Sequence, residues 1–270
     1  MSAGDEPRFS AGVASLDGPR ATRRRATAPP IELVVVAIPA RNEEQRIAAC
    51  LASIDNAARR WGGPVIAVVG ADGCTDATAH LVATMPAMAM TLAVVEGTWR
   101  RPSSTRRAAV VHALALGGGR CASDRTWIAN TDADGAVDSD WITRQVASAD
   151  SGVDLVAGVV ALDPEDTPVS LQASFAAHYQ LLPGERRHVH AANLGIRASV
   201  YRAIGGWRAS TAIGEEHHLV RAAVRSGATV SWADDLVVRT SGRTMGRVRG
   251  GFASVLSRLD RDVASVADSA

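Results

Sequence analysis

Two aspartates flanking one alanine, Asp132-Ala133-Asp134, are the residues of this chain best suited by type and spacing to do chemistry. In an extended turn, residues i and i+2 project the same way. Carboxylates so placed can hold one hard divalent cation, which takes oxygen ligands and completes its shell with water and phosphate oxygens. Such a cation would neutralise charge gathering on a departing diphosphate. The plainer alternative is an Asp-rich turn ahead of a helix, with Asp138 or Ser139 as N-cap. A calcium loop fits poorly, because the glycine of DADGAVDSD falls at the fourth position rather than the sixth and no Glu stands at the twelfth.

Two further polar turns carry candidate residues. In Ala71-Asp72-Gly73-Cys74-Thr75-Asp76, Asp72 either accepts a hydrogen bond from a nucleoside base or ribose, or simply closes a strand-to-helix turn that Thr75 or Asp76 caps. In Pro39-Ala40-Arg41-Asn42-Glu43-Glu44, both glutamates suit the positive end of a helix dipole, a role compatible with nucleotide contact by Glu43. Arg239, Arg243, Arg247 and Arg249 form either a solvated basic face or a flap that grips diphosphate and closes when donor binds.

The elements that must position these turns follow from periodicity. Apolar, β-branched runs at 32–38, 64–70, 91–96 and 126–130 read as buried strands. Helical patterns lie between them at 43–60, 75–84 and 104–116, the first placing Ile47, Leu51, Ile54 and Ala58 on one face. Alternation of this kind predicts an α/β fold, with parallel strands joined by right-handed crossovers. Ligands of such sheets bind beyond the carboxyl ends of the strands, where all three polar turns fall. The second half is less regular: strands at 153–161 and 229–239, a strand or loop at 188–196, and helices at 168–182, 198–204 and 215–226.

The series A-I-P-A-R-N-E-E, V-V-G-A-D-G-C-T-D-A-T, N-T-D-A-D, A-N-L-G-I-R-A-S-V-Y-R-A-I-G-G-W and G-E-E-H-H-L resembles the family 2 glycosyltransferases from about residue 32 to 243. The resemblance implies the GT-A nucleotide-diphospho-sugar transferase fold, a mostly parallel central sheet flanked by helices. It implies transfer of a sugar from a UDP-, GDP- or dTDP-sugar to an acceptor hydroxyl with inversion, assisted by Mn2+ or Mg2+. By that resemblance Pro39, Arg41, Glu43 and Asp72 line the nucleoside pocket, Arg106 attends the donor, and Asp132 and Asp134 meet metal and diphosphate; Arg243, from the basic run, is the further donor contact expected. Glu216 stands where the family has its catalytic Asp, with Glu215 as the alternative base, and Cys74 stands where Ser is common. His217 and His218 are either surface residues or contacts to metal or acceptor. The acceptor is a sugar, a lipid or a small molecule. Loss of catalysis with retained donor binding, and nucleotidyl transfer, are the competing readings; the latter usually wants a Gly-rich loop after the first strand, and P-A-R-N-E-E has none.

Composition narrows the classes. A formal net charge of +1 argues against nucleic-acid binding, although every basic residue is Arg. Three widely spaced cysteines suit a reducing compartment, and the expected location is the cytoplasm. No apolar run approaches the roughly 18 residues that span a bilayer, which leaves only peripheral membrane contact open. The expected organisation is a disordered tail at 1–30, a catalytic domain at 31–243 with halves at 31–135 and 136–243, and an Arg-rich, helical extension at 244–270.

Overall fold

The computed structural model describes residues 28–119, 122–180, 189–208, 214–244 and 252–267. Most of the expected tail, together with Cys121, Arg247 and Arg249, lies outside the described residues.

The first half folds as its pattern dictates. Strands β1 (Leu33–Ala40), β2 (Val65–Asp72), β3 (Thr91–Gly97) and β4 (Thr126–Asn130) pair in parallel in the order β3-β2-β1-β4. Strands β1, β2 and β4 are buried almost throughout because both faces are covered, whereas the edge strand β3 is part-exposed. Val34, Val36 and Ile38 meet helix α1 (Ile47–Trp61) on one side, and Val35 and Ala37 share the other with helix α3 (Pro102–Leu116). Ile47, Leu51, Ile54 and Ala58 are all buried, as the spacing predicts. Helix α1 starts at Ile47 rather than 43, because residues 43–46 are spent on a turn tied to helix α2 (Thr78–Ala83).

The second half completes an eight-stranded sheet with β5 (Ala136–Val137), β6 (Leu155–Leu162), β7 (Leu194–Arg197) and β8 (Val230–Thr240), in the full order β3-β2-β1-β4-β7-β6-β8-β5. Strand β7 runs antiparallel to both β4 and β6, and β5 antiparallel to β8, so the sheet is mixed with its parallel strands in the majority. Helices α4 (Trp141–Asp150), α5 (Val169–Gln180), α6 (Ala198–Ala203) and α7 (Glu215–Arg225) complete the layers. Strand β5 is too short to leave a period in the sequence.

Two buried polar side chains hold this half together. Asn193 donates to the carbonyls of Val159 (2.8 Å) and Leu236 (2.7 Å), across the irregularity where β6 and β8 slip register after Gly158. A side chain at Gly158 would stand 2.3 Å from the Asn193 amide, so only glycine fits there. Fully buried Arg197 donates to the carbonyls of Pro29 (3.2 Å), Ala149 (2.6 Å) and Asp124, linking the N-terminal approach to the sheet. Helix α8 (Phe252–Ala267) packs on α5 through Leu256 and an edge-to-face contact of Phe252 with Phe175 at 5.5 Å. No helix of the described residues is long and apolar enough to cross a membrane.

Candidate active site

The carboxyl ends of β1 and β2 are laced together. Asn42 adopts φ 55°, a left-handed conformation that Asn tolerates, and its side-chain oxygen accepts from the Thr75 amide at 2.8 Å. The Glu43 amide donates to the Thr78 hydroxyl at 2.7 Å, and the Glu44 carboxylate accepts from the Ala77 amide at 3.0 Å. Asp76 returns the link, accepting from the Glu44 amide (3.1 Å) and from Thr78. Burial pushes the Asp76 carboxyl up, but these hydrogen bonds outweigh it and hold it below the ordinary range. Glu44 therefore serves the start of α2 rather than the first turn of α1.

Asp72 is buried with a full set of internal donors. Its Oδ1 accepts from the amides of Trp99 (2.7 Å) and Arg100 (2.9 Å), and Oδ2 accepts from the Thr105 hydroxyl at 3.1 Å. It fixes the loop between β3 and α3, where Arg100 sits at φ 59°. Pro39 closes β1 half-buried, and Arg41 projects into solvent one residue beyond the strand.

The Asp132-Ala133-Asp134 turn alternates as its spacing predicts. Ala133 packs into the core beneath the sheet edge, and the flanking aspartates turn to the site. Each aspartate meets a different arginine. Arg106, 4% exposed, pairs with Asp132, approaches Glu215 at 3.5 Å, and lies 5.5 Å from the centroid of the Trp207 ring. Trp207 is itself fixed by its indole N–H to Asn130 Oδ1 at 3.2 Å. Arg106 thereby joins the end of β4 to the start of α7. Its Nε is buried without a hydrogen-bond partner among the described residues.

Arg243 forms the second cluster. It pairs with Glu43 at 2.9 and 3.1 Å and with Asp134 at 2.9 Å. Burial, with Asp132 and Glu43 close by, pushes the Asp134 carboxyl up to about 6, although Arg243 opposes the shift. The arginine's backbone is stitched down: Asp166 accepts from the Ser241 hydroxyl and the Gly242 amide, both at 3.2 Å, and pairs with Arg46 at 2.6 Å. Gly242 is needed there because a Cβ would stand 2.0 Å from the Thr167 hydroxyl. Of the other arginines in that run, Arg239 turns outward to Asp138 at 3.5 Å.

At the start of α7 the acidic pair divides. Burial pushes the Glu215 carboxyl up, with Glu216 and Asp132 adding to the shift and Arg106 opposing it. Glu216 is more exposed, and its Oε1 lies 3.3 Å from His217 Nδ1. Burial raises it too, but His217 and the helix-start backbone outweigh that and hold it below the ordinary range.

The structure thus gathers Glu43, Arg106, Asp132, Asp134, Glu215 and Arg243 at one end of the sheet, with Glu216 beside them, while Asp72 serves the neighbouring loop. Sequence reasoning missed Arg46, Asp166 and the bedding of Arg106 on Trp207. Nothing in the local pattern of Asp166 sets it apart, whereas Trp207 lies in the G-G-W that closes the fourth motif.

S. aureus TarS 1-349 in complex with UDP-GlcNAc superposes with a TM-score of 0.57 at 14% identity, over 87% of this chain and 66% of that one. The mannosyltransferase PcManGT from Pyrobaculum calidifontis, in complex with GDP-Man and Mn2+, gives 0.52 at 20% identity, over 86% and 61%. The chain therefore spans less than two thirds of either solved chain. No match was found among curated proteins. Residues 35–205 match the profile of glycosyl transferase family 2. This chain belongs to glycosyl transferase family 2 and has the GT-A fold.

Proposed function

We propose that this glycosyltransferase inverts the anomeric carbon, moving a sugar from a nucleoside diphosphate donor to an acceptor hydroxyl with a divalent cation at Asp132 and Asp134. The observation that carries this reading is Arg106, which bridges the aspartate turn on the donor half to Glu215 at the start of α7. That bridge sets a charge-stabilising centre beside a proton acceptor.

Among the described residues no group of three or more His, Cys, Asp or Glu is arranged to hold a metal. The chain's own donors fit a cation that draws its remaining ligands from diphosphate and water: they are hard oxygens, and Glu43, Asp132, Asp134 and Glu215 share Arg106 and Arg243. When bound, Mn2+ or Mg2+ supplies Lewis-acid stabilisation of the leaving diphosphate.

The remaining roles belong to the protein. Glu216 takes the proton from the acceptor hydroxyl, with His217 orienting its carboxylate. The acceptor oxygen bonds to the anomeric carbon on the face opposite the departing phosphate oxygen, and the sugar–phosphate bond breaks. Arg106, held by Glu215, and Arg243 face the charge left on the diphosphate. Pro39, Arg41 and Glu43 border the nucleoside pocket, and Asp72 shapes its β3–α3 wall through the loop it anchors. On this reading the catalytic unit is 31–243, with α8 bracing its acceptor half.

The test is a donor screen: calorimetric titration with UDP-, GDP- and dTDP-sugars, with and without Mn2+, followed by NMR of the product's anomeric configuration. The expected result is metal-dependent binding of one donor series and an inverted product. A retained configuration, or full turnover after exhaustive EDTA treatment, would overturn the corresponding part.

A further inference from the structure

Arg243 occupies the acidic site rather than merely bordering it. It meets two carboxylates, Glu43 and Asp134, at 2.9 Å each. Both are largely withdrawn from water, with side-chain exposures of 6% and 11%, while the arginine is one-third exposed. Its backbone is fixed through Asp166, so only the side chain is free to swing. Arg106 differs, being enclosed on Trp207 and between Asp132 and Glu215.

We infer that Arg243 is a tethered counter-ion for the metal site: without donor it pairs with Glu43 and Asp134, and a divalent cation must displace it before Asp134 can serve as a ligand. This inference rests on the assignment of Asp134 as a metal ligand. Two cations cannot share that carboxylate without mutual repulsion, so the wild-type site is guarded against free metal. The displaced guanidinium is released toward the diphosphate, whose charge compensates the exchange. Metal and donor then bind cooperatively, because metal that binds without donor bears the full cost of displacement.

Mn2+ binding without any nucleotide, followed by EPR of the free ion, reads this directly. Arg243→Gln should bind Mn2+ at least tenfold more tightly than wild type, and Asp134→Asn added to it should abolish the gain. Arg243→Lys, which keeps the charge, should stay near wild type; this variant guards against loss of fold, and each protein's melting temperature is recorded. If Arg243→Gln binds Mn2+ no tighter than wild type while Asp134→Asn weakens wild-type binding, the counter-ion role is overturned and the metal assignment stands. If Asp134→Asn leaves Mn2+ binding unchanged, the metal assignment fails and the inference fails with it.

Discussion

Two arginines neutralise the acidic end of this sheet, and they do so in opposite ways. Arg106 comes from the interior of helix α3, is 4% exposed, and touches Asp132, Glu215 and Trp207. Arg243 comes from the segment after β8, is 33% exposed, and reaches Glu43 and Asp134. Both join the two halves of the molecule, but the first is enclosed and the second fills a place from which it can leave. The difference teaches that charge pairing alone does not define a role here. What decides is whether the cation has somewhere else to go.

The largest effect is expected at Arg106. Breaking a buried ion pair by removing one partner costs about 3–5 kcal/mol, and Asp132, one-third exposed, places the loss near the lower figure. Arg106→Ala should therefore lower denaturant stability by about 3 kcal/mol and abolish transfer, and Mn2+ should not restore either. Arg243→Gln should lose less stability, and added Mn2+ should recover most of it. Equal losses with equal metal rescue, measured by urea titration, would erase the contrast between the two sites.

Next in size is the proton acceptor. General-base assistance contributes roughly 10² to 10⁴ in rate, so Glu216→Gln should reduce transfer by that order while donor affinity survives. Glu215→Gln should act through Arg106 instead, weakening donor binding and stability more than the rate at saturating donor. The reverse pattern in kcat and nucleotide Kd would exchange the two assignments.

A smaller effect is expected at Asp72. Its loss leaves the Trp99 and Arg100 amides without their acceptor, at about 1–3 kcal/mol for a buried unsatisfied group. Asp72→Ala should loosen the β3–α3 loop, seen as faster amide exchange at 99–101, and weaken nucleotide binding without a matching fall in saturated rate. Unchanged exchange there would mean that other contacts hold the loop.

How much of this was legible beforehand varies with the range of the interactions. The strands of the first half, the buried face of α1 and the outward pair of Asp132-Ala133-Asp134 all follow from local periodicity. The mixed direction of β7 and the two-residue β5 do not, because pairing partners distant in sequence set them. The same holds inside the site. The residue types were readable, but the partition of the acidic groups between Arg106 and Arg243 depends on contacts spanning up to 200 positions. Asp72 reads as a ligand contact; its carboxylate also anchors the loop beside it, and only the position of Trp99 and Arg100 reveals that second role.

The smallest effect separates the clusters by pH. Asp134 has its carboxyl raised to about 6 from an ordinary value of 3.8, with burial the largest cause and Asp132 next. A carboxyl raised in the folded state stabilises the metal-free protein most below the ordinary value, and that contribution is lost as pH rises through about 6. Metal binding runs the other way, since the cation needs the ionised form. Below about 6 protons compete with the metal, and Mn2+ affinity should fall by about tenfold per pH unit. At pH 7 and above it should be flat. Asp134→Asn removes the titrating group, so whatever weak Mn2+ binding survives should lose this slope, whereas Arg243→Gln should keep the slope and shift its midpoint upward, because the cation that opposes the rise is gone. A slope that persists unchanged in Asp134→Asn would place the titrating group elsewhere than the carboxyl that Arg243 covers.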